Sequence, residues 1–472
     1  MSIVTPGVVP ASVLLAQPRP QWLAQWGSFA AALRGKPLEP ALLAQAKLVI
    51  LDCIGAIAAG MQEPETRALV ARLGRRETAG GAVAIGAGRR LAPADAAFVN
   101  GVAGTMLELD EGNSFARGHP GVHVLPAVLA ARPAAEISGI ALLVAFVLGY
   151  EMGARIGAAA QLRNSMHPHG TWGTVGAALA VAHLNGADAA GLVETVNVSS
   201  SLGLGTSLRT MLQGATMRNS YAGFSARNGL SAWDLVASGF TGEFDGVGSV
   251  YGSVLAEAFQ PEEMVAELGS RWEIQRNYFK RHAACRYTHG ALDVIAALLE
   301  KHGALDAGAI ESVAVETYVW AAQLDAPVPA NMLAAKFSLP FAVATTLVHG
   351  EASVPAFRAP ALTDPRILDL AKRISVSEDA ALTAMMPDLR PARVTIRLRD
   401  GRVLAGETFT NRGDARDPYS PGEVRAKFLD LAAAVWGADH ARSIEAAVAD
   451  LDRASDLTGL DALLAKPARE DK

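Results

Sequence analysis

One polar segment of the chain, residues 108–123, combines carboxylates with histidines between two long apolar stretches. Its glycines and prolines predict a loop between packed helices, and loops on a rigid scaffold often carry binding groups. A carboxylate beside an imidazole fixes its tautomer and tunes its pKa, so we expect Glu108 or Asp110 to orient His119. A solvated loop after a helix end and a divalent-metal site remain alternatives, although the spacing matches no specific metal motif.

A second segment places two histidines in the sequence His167-Pro168-His169, directly before a glycine-rich helical stretch. The N-terminal end of a helix exposes N–H groups and partial positive charge, which suits a bound carboxylate. The same field lowers the pKa of a histidine and keeps its ring neutral, able to act as a base. The segment therefore predicts a binding and catalytic role for His167 and His169, against the alternative of ordinary helix capping.

A third segment holds Arg218 and Tyr221 between Gly214 and Gly223. Flanking glycines indicate that the backbone comes close to another group. A guanidinium is a planar fork that binds a carboxylate at two points. We therefore expect Arg218 and Tyr221 to contact a substrate.

The fourth segment, residues 277–289, is rich in ionisable side chains. Lys280, Arg281 and Arg286 would attract an anionic substrate, and neighbouring cations could lower the pKa of Lys280. The segment lies where a helical pattern gives way to a mixed one, and ligand clefts often form at domain junctions. Cys285 is either a nucleophile or, as a lone cysteine more often is, a small buried hydrophobe.

Helices must position most of these groups, because apolar residues recur at spacings of three and four from about residue 20 to 270. Gly170, Gly173 and Gly176 would share one helix face, which favours close helix packing over phosphate binding. The predicted helices are Pro40–Gly60, Ala92–Leu107, Ile137–Ala160 and Gly173–His183.

Strand patterns begin after about residue 275. Ser312–Trp320 and Arg393–Arg399 alternate as half-buried strands do. Asp400-Gly401 then predicts a hairpin into Arg402–Thr408. Two further stretches, Ala334–Leu347 and Pro365–Ile374, have helical patterns.

The fold class that follows is mainly α, with about two or three domains for a chain of 472 residues. Ser420-Pro421-Gly422-Glu423 is a helix start signal, so the C-terminal stretch returns to helix. We predict one large helical domain formed by both ends of the chain, residues 1–275 and 416–472. A smaller α+β domain, residues 276–415, is inserted between them.

Composition excludes several classes of protein. With 50% hydrophobic and 19% charged residues the chain is not a disordered protein. A net charge of −5 argues against nucleic acid or an anionic membrane as a partner. Two cysteines, Cys53 and Cys285, fit a reduced cytoplasmic compartment. The apolar stretch Ile137–Tyr150, about 14 residues long, falls short of the roughly 20 that a membrane span needs.

The order of short motifs along the chain resembles that of the MmgE/PrpD family, which includes 2-methylcitrate dehydratase, cis-aconitate decarboxylase and iminodisuccinate epimerase. The resemblance extends over about residues 20 to 465 and depends on the order of the motifs, not on any single one. The matching stretches are Leu51–Gly55, Ala97–Asp110 leading to His119-Pro120, Gly149–Glu151, Met166–Thr171, Tyr221–Gly223 leading to Ala237–Gly242, Lys280–His289 and Ala335–Pro340.

This resemblance implies a fold and a way of working. The inserted domain would be a lid, the protein a homodimer, and the site a cleft between the domains. The family acts on small di- and tricarboxylates without a metal or an organic cofactor. The positions that the resemblance places in the site are Glu108, Asp110, His119, His167, Lys280 and, by a looser match, Tyr318.

Some positions depart from the family pattern. Arg218 and Tyr221 stand where dehydratase and decarboxylase members tend to have a Lys-x-x-His element. Gly112 replaces a threonine of decarboxylase-like members, and Cys285 replaces their histidine. These changes remove groups from a decarboxylase site, so decarboxylation ranks low.

The chemistry that such substrates need is proton abstraction next to a carboxylate, which requires a positioned base and cations over the developing charge. We expect Lys280 or His167 to act as the base and His119 to deliver a proton. Arg218, together with Arg281 or Arg286, would hold the carboxylates.

We therefore predict a cytoplasmic, cofactor-independent lyase, a dehydratase acting on a small di- or tricarboxylate of the 2-methylcitrate type. An epimerase or isomerase of an amino- or imino-dicarboxylate such as iminodisuccinate is the alternative. A decarboxylase and a non-catalytic carboxylate-binding protein rank below both.

Overall fold

The computed structural model describes residues 10–16, 18–75 and 80–469. The protein is mostly helical with small sheets, which confirms the prediction of a mainly α fold. The α-helices are α1 Ala11–Leu15, α2 Gln21–Ala32, α3 Pro40–Gly60, α4 Pro64–Leu73, α5 Pro93–Met106, α6 Pro120–Ala130, α7 Gly139–Ala159, α8 Trp172–Leu184, α9 Ala189–Ser200, α10 Arg209–Leu212, α11 Tyr221–Ala237, α12 Gly246–Ser249, α13 His289–His302, α14 Val319–Ala322, α15 Met332–Lys336, α16 Leu339–His349, α17 Pro365–Ala371, α18 Ala380–Thr383, α19 Pro421–Trp436, α20 Ala438–Ala449 and α21 Thr458–Leu464.

The strands form small sheets, and the largest has four strands in the order β10-β9-β7-β8. In it β7 runs parallel to β8 and antiparallel to β9. Strands β9 and β10 form the predicted hairpin, with Val403 opposite Arg397 and Gly401 at φ +90° in the turn. The strands are β1 Ala82–Ala84, β2 Arg89–Leu91, β3 Gly112–Asn113, β4 Ala160–Leu162, β5 Ala256–Phe259, β6 Asn277–Tyr278, β7 Ile310–Thr317, β8 Ile374–Glu378, β9 Ala392–Leu398 and β10 Val403–Thr408.

The inserted region differs from the prediction in three places. The strand predicted at Ser312–Trp320 ends at Thr317, and Val319 and Trp320 belong to α14. The helix predicted at Ala334–Leu347 is divided into α15 and α16, because the Ser338 side chain accepts a hydrogen bond from the Phe341 amide and starts a new helix. The helix predicted at Pro365–Ile374 ends at Ala371, and the chain then forms the parallel strand β8. A sequence pattern does not show a parallel pairing whose partner strand lies far away in the chain.

Small residues allow the central helices to approach each other closely. A Cβ atom at Gly176 of α8 would lie 2.4 Å from the carbonyl oxygen of Gly149 in α7. A Cβ at Gly173 would lie 2.5 Å from the ring of His123. The spacing of Gly173 and Gly176 therefore reflects helix packing, as predicted, whereas Gly170 lies before α8 with φ +87° and does not share its face.

The two ends of the chain pack together. Helix α19 lies on α3, where the Lys427 ammonium is 2.6 Å from a carboxylate oxygen of Asp52. Gly55 of α3 leaves room for the ring of Phe428. This contact agrees with a helical domain that both ends of the chain build, while the predicted boundaries at residues 275 and 415 stay predictions.

Two helices, α3 and α7, are long and apolar enough to cross a membrane by length and composition alone. Helix α7 has 21 residues, more than the apolar stretch counted in the sequence, because Glu151 and Arg155 form an ion pair inside it and do not end it. The apolar windows of α3 and α7 are 67% and 89% buried within the protein. Burial of this extent is typical of core helices in a soluble protein.

Candidate active site

The acidic loop begins with an unusual backbone turn. Helix α5 ends at Met106, and Glu108 then adopts a left-handed conformation with φ +55°. A non-glycine residue in this region costs about 1–3 kcal/mol, and such strain often occurs at functional sites. The turn directs Glu108, Asp110 and Glu111 into the interior, where each is at most 1% exposed.

A short strand pairing brings the lysine segment to these acids. Strand β3 pairs with β6, with Gly112 opposite Tyr278. The buried Lys280 follows β6, and its ammonium lies 3.2 Å from Glu108 Oε2 and 4.0 Å from Asp110 Oδ1. Glu108 also forms an ion pair with Arg218. One carboxylate therefore holds two buried cations together.

His119 is oriented by the neighbouring carboxylate. Its Nδ1 lies 3.0 Å from Asp110 Oδ2 and 2.6 Å from the Glu111 carbonyl oxygen. Both partners are acceptors, so Nδ1 carries a proton and Nε2 is left for another group. Burial opposes ionisation of Asp110, but the charges of His119 and Lys280 outweigh it and hold the pKa of this carboxyl below its ordinary value.

Buried imidazoles pack edge to face around His169. The centroid of its ring lies 4.6 Å from that of His119, 4.9 Å from His167 and 5.3 Å from His123. Burial and then the positive charge of Arg218 lower the pKa of His167 and His169 well below the ordinary value. Their rings are therefore neutral as predicted, but the cause is burial beside a cation and not the helix end alone.

His167 receives hydrogen-bond donors on both ring nitrogens. The His169 amide lies 3.1 Å from Nδ1, and Arg218 Nε lies 3.4 Å from Nε2. A neutral imidazole has one nitrogen that accepts, so only one of these contacts is a hydrogen bond at a time. The other nitrogen carries the ring proton, so His167 can accept a further proton only at the nitrogen whose present donor moves away.

Tyr221 and Cys285 border the same cluster. The Tyr221 ring centroid lies 5.6 Å from that of His167. Burial and the charge of Glu108 raise the pKa of the Cys285 thiol to about 11. A thiol with this pKa stays protonated near neutral pH, so the buried-hydrophobe alternative describes Cys285 better than the nucleophile.

The structure corrects the expectation for two arginines. Arg281 is exposed and does not join the buried cluster. Arg286 is buried, but it lies 2.7 Å from Asp414 Oδ1 and also donates to the carbonyl oxygens of Asn411 and Arg412. Its two terminal nitrogens are occupied, whereas Nε has no hydrogen-bond partner among the described residues. Arg286 therefore ties the segment after Lys280 to the loop after β10.

Tyr318 lies at the start of α14 with its hydroxyl buried and without a hydrogen-bond partner among the described residues. Its ring centroid is 6.0 Å from that of Tyr287. Its contacts are therefore with the segment that follows Lys280, and no direct contact joins it to His119 or His167 in the described chain.

Sequence reasoning missed buried groups that line the cluster. Burial raises the pKa of Glu111 to about 8, although its oxygens accept hydrogen bonds from the Gly121 amide and the Tyr150 hydroxyl. Burial also lowers the pKa of Lys336, which donates to the Met106 carbonyl, to about 7. For Lys336, the sequence signal is a lysine between apolar residues, Ala335 and Phe337, which could have predicted its burial.

Within residues 10–16, 18–75 and 80–469, no three His, Cys, Asp or Glu side chains are placed to hold a metal ion. The groups that meet are instead two carboxylates, two permanent or readily charged cations and neutral imidazoles, nearly all out of contact with solvent. Such an arrangement can bind anionic groups and move protons.

Two family models match the sequence of this chain. The model of the MmgE/PrpD N-terminal domain matches residues 24–256, and that of the C-terminal domain matches residues 282–453. The chain belongs to the MmgE/PrpD family. The resemblance inferred from the motif order is thereby confirmed.

Curated relatives of this MmgE/PrpD protein are similar over most of their length. A cis-aconitate decarboxylase from Aspergillus terreus is 28% identical over 91% of this chain and 92% of its own. The cis-aconitate decarboxylase from Mus musculus is 26% identical over 81% of this chain and 80% of its own. The cis-aconitate decarboxylase from Homo sapiens is 25% identical over 80% of this chain and 81% of its own. These relatives are enzymes of the lyase class.

Proposed function

We propose that the protein is a lyase that removes a proton next to a carboxylate of a small di- or tricarboxylate, as a dehydratase of the 2-methylcitrate type does. The observation that supports this is the Asp110–His119 pair beside two cations, Lys280 and Arg218, that share Glu108. A dyad of this kind moves protons, and cations in a buried site stabilise the charge that develops on a substrate carboxylate.

The proposed reaction breaks one C–H and one C–O bond. His167 in its neutral form takes the proton next to the carboxylate, because the Lys280 ammonium is bound to Glu108 and Asp110 and has no free lone pair. The electron pair moves onto the carboxylate, and Arg218 stabilises the transient dianion. His119 then donates a proton to the departing hydroxyl group, which leaves as water, and a C=C bond remains.

The finer expectations belong to the same proposal. We propose that residues 276–415 act as a lid over the cleft, that catalysis needs no metal or organic cofactor, and that the protein works as a cytoplasmic homodimer. The position of the cluster supports the first point, because Lys280 and Cys285 come from the chain just after the proposed boundary while Glu108, His119 and His167 come from before it.

Decarboxylation is a second candidate, favoured by the names of the relatives. Two features of the structure support the low rank that the sequence departures gave it. Cys285, at a position where decarboxylase-like members have histidine, holds a protonated thiol that cannot replace an imidazole in proton transfer at neutral pH. Arg218 remains a cation bound to Glu108 and cannot serve as a base.

Substrate turnover in deuterated water distinguishes the candidates. We expect the purified protein to convert 2-methylcitrate or citrate to the unsaturated acid with loss of water. Proton NMR of the reaction mixture measures this conversion. Release of CO₂ from cis-aconitate would establish the decarboxylase instead. Exchange or inversion of an α-proton without loss of either group would establish an epimerase, and binding without exchange would contradict an enzymatic role.

The proposed roles predict the effect of single substitutions on that turnover. His119→Gln is expected to lower kcat by about 100- to 10,000-fold, the usual contribution of a general acid or base. Lys280→Met is expected to lower it to a similar extent, because it removes a buried cation that stabilises the developing charge. Arg281→Gln is the matched control and should leave kcat unchanged, because its side chain is exposed. Wild-type turnover in both His119→Gln and Lys280→Met would contradict the assignment.

A further inference from the structure

Arg390 is a buried cation without a buried counter-charge. It lies between α18 and β9 and is 4% exposed. The other buried arginines, Arg155, Arg218 and Arg286, each form an ion pair with a carboxylate. No carboxylate of the described ranges lies within 4 Å of the Arg390 guanidinium. A charge buried in this way is costly unless something else compensates it.

The contacts of Arg390 leave donors free. One terminal nitrogen donates to the Ser114 carbonyl at 2.7 Å, and the guanidinium carbon lies 5.6 Å from the centroid of the Tyr287 ring. Arg390 Nε has no hydrogen-bond partner in the described part of the chain, and neither do the buried hydroxyls of Ser114 and Tyr318. The charge of Arg390 acts on the hydroxyls of Tyr318 and Tyr287. The acid that acts on Arg390, Asp414, is already bound to Arg286. Unpartnered buried polar groups beside one cation indicate a place for a polar ligand.

Two connections place this cluster beside the candidate active site. Ser114 belongs to the loop that joins Asp110 to His119. Tyr278 stands edge-on to the His119 ring, with centroids 6.0 Å apart, and Arg390 is among the charges that act on its hydroxyl. Arg390 therefore approaches the loop of the acid–imidazole pair from the side of the inserted region.

The charge balance of the candidate active site indicates what the Arg390 cluster binds. Lys280 and Arg218 are already matched by Glu108 and Asp110, so they cannot neutralise a substrate with several carboxylates by themselves. We propose that Arg390, assisted by the Tyr318 hydroxyl, binds the substrate carboxylate that is remote from the reacting carbon. This assignment rests on the proposed function and specifies which acids the site accepts.

Binding of an unreactive tricarboxylate tests the assignment. The probe is propane-1,2,3-tricarboxylate, titrated into the full-length protein and measured by calorimetry. Glutarate, with two carboxylates, and butyrate, with one, are the references of lower charge. We expect Arg390→Gln to weaken tricarboxylate binding by about 10- to 100-fold, as loss of a charge-assisted contact does. Butyrate binding should change little, and Arg390→Lys should restore part of the tricarboxylate affinity. Arg397→Gln, an exposed arginine of β9, is the control.

A structural role for Arg390 would produce another result. Since its charge is unpaired, Arg390→Met should unfold at the wild-type temperature or above it, which keeps the variant usable. Equal loss of affinity for all three acids, or wild-type tricarboxylate affinity in both Arg390→Gln and Arg390→Lys, would overturn the assignment. If the wild-type protein turns over the substrate and Arg390→Gln changes neither tricarboxylate binding nor turnover, the assignment is overturned and the proposed function remains intact. Arg390-dependent binding without any turnover would contradict the proposed reaction instead.

Discussion

At the scale of single residues, the site is organised by carboxylates that hold cations and by imidazoles kept neutral. Glu108 binds Lys280 and Arg218, and Asp110 binds His119, so each charged group has a fixed neighbour before a substrate arrives. Such preorganisation lowers the cost of placing charge in the transition state. The left-handed Glu108 is the local strain that makes this placement possible.

The buried Glu111 predicts a pH-dependent stability. Its pKa rises from an ordinary 4.5 to about 8 on folding, so between these values the folded protein binds a proton that the unfolded chain has lost. Its contribution to the free energy of unfolding therefore falls by roughly 1.4 kcal/mol per pH unit as the pH rises through that window. Glu111→Gln should flatten the decline in urea-unfolding free energies between pH 5 and 8. An unchanged slope would contradict the assignment of a protonated Glu111.

At the scale of elements, the site depends on helices that approach closely and on one short strand pairing. Helices α7 and α8 meet at glycines, and β3 pairs with β6 to bring Lys280 to the acids. The glycine spacing could be interpreted from the sequence. The pairing of β3 with β6 could not, because two-residue strands have no period to detect.

The close helix contact predicts a marked difference between two glycine substitutions. Gly176→Ala places a Cβ 2.4 Å from a backbone oxygen of α7 and should lower the free energy of unfolding by about 1–3 kcal/mol. Gly459→Ala in α21 is the matched control, because nothing lies within 4 Å of its Cβ, and it should be neutral or stabilising by up to about 1 kcal/mol. Chemical denaturation of both variants measures the difference, and equal values would refute the packing argument.

At the scale of the whole molecule, a C-terminal helix contacts the acidic loop that contains Glu108 and Asp110. Lys427 of α19 donates to Asp52 in α3 and also to the carbonyl oxygen of Leu109 at 2.5 Å, between Glu108 and Asp110. The last part of the chain therefore fixes residues that the first part supplies.

This contact predicts that a remote substitution affects both stability and activity. Lys427→Met leaves the buried Asp52 without its cation and should cost about 3–5 kcal/mol of unfolding free energy. It should also lower kcat, because the acidic loop loses a hydrogen bond. Lys47→Met removes a more exposed ion pair with Asp452 between the same parts of the chain, and should cost at most about 1 kcal/mol. Similar effects of the two substitutions would contradict this role of Lys427.

The proposed homodimer predicts where a second copy binds. Large apolar side chains that are exposed in one chain concentrate between residues 212 and 254, among them Phe240 at 61% and Phe244 at 46% exposed. A stable interface buries such groups. Light scattering should give a dimeric mass for the wild type and a monomeric mass for the Phe240→Ser/Phe244→Ser double variant. Val403→Ser, an exposed apolar residue outside this segment, should remain dimeric.

The long helices, the β9–β10 hairpin, the family and most members of the buried cluster could be predicted from residue types and spacing, because periodicity, turn residues and polar segments are local signals. Which charged groups meet became visible only in the folded chain. Arg281 and Arg286 have the same charge and lie close together in the chain, yet one is exposed and the other is bound to Asp414. Arg390, far in sequence from every polar segment that the sequence analysis indicated, donates to the Ser114 carbonyl in the loop between Asp110 and His119. The physical reason is that burial and charge pairing depend on distances between segments remote in sequence, which residue type and spacing do not contain.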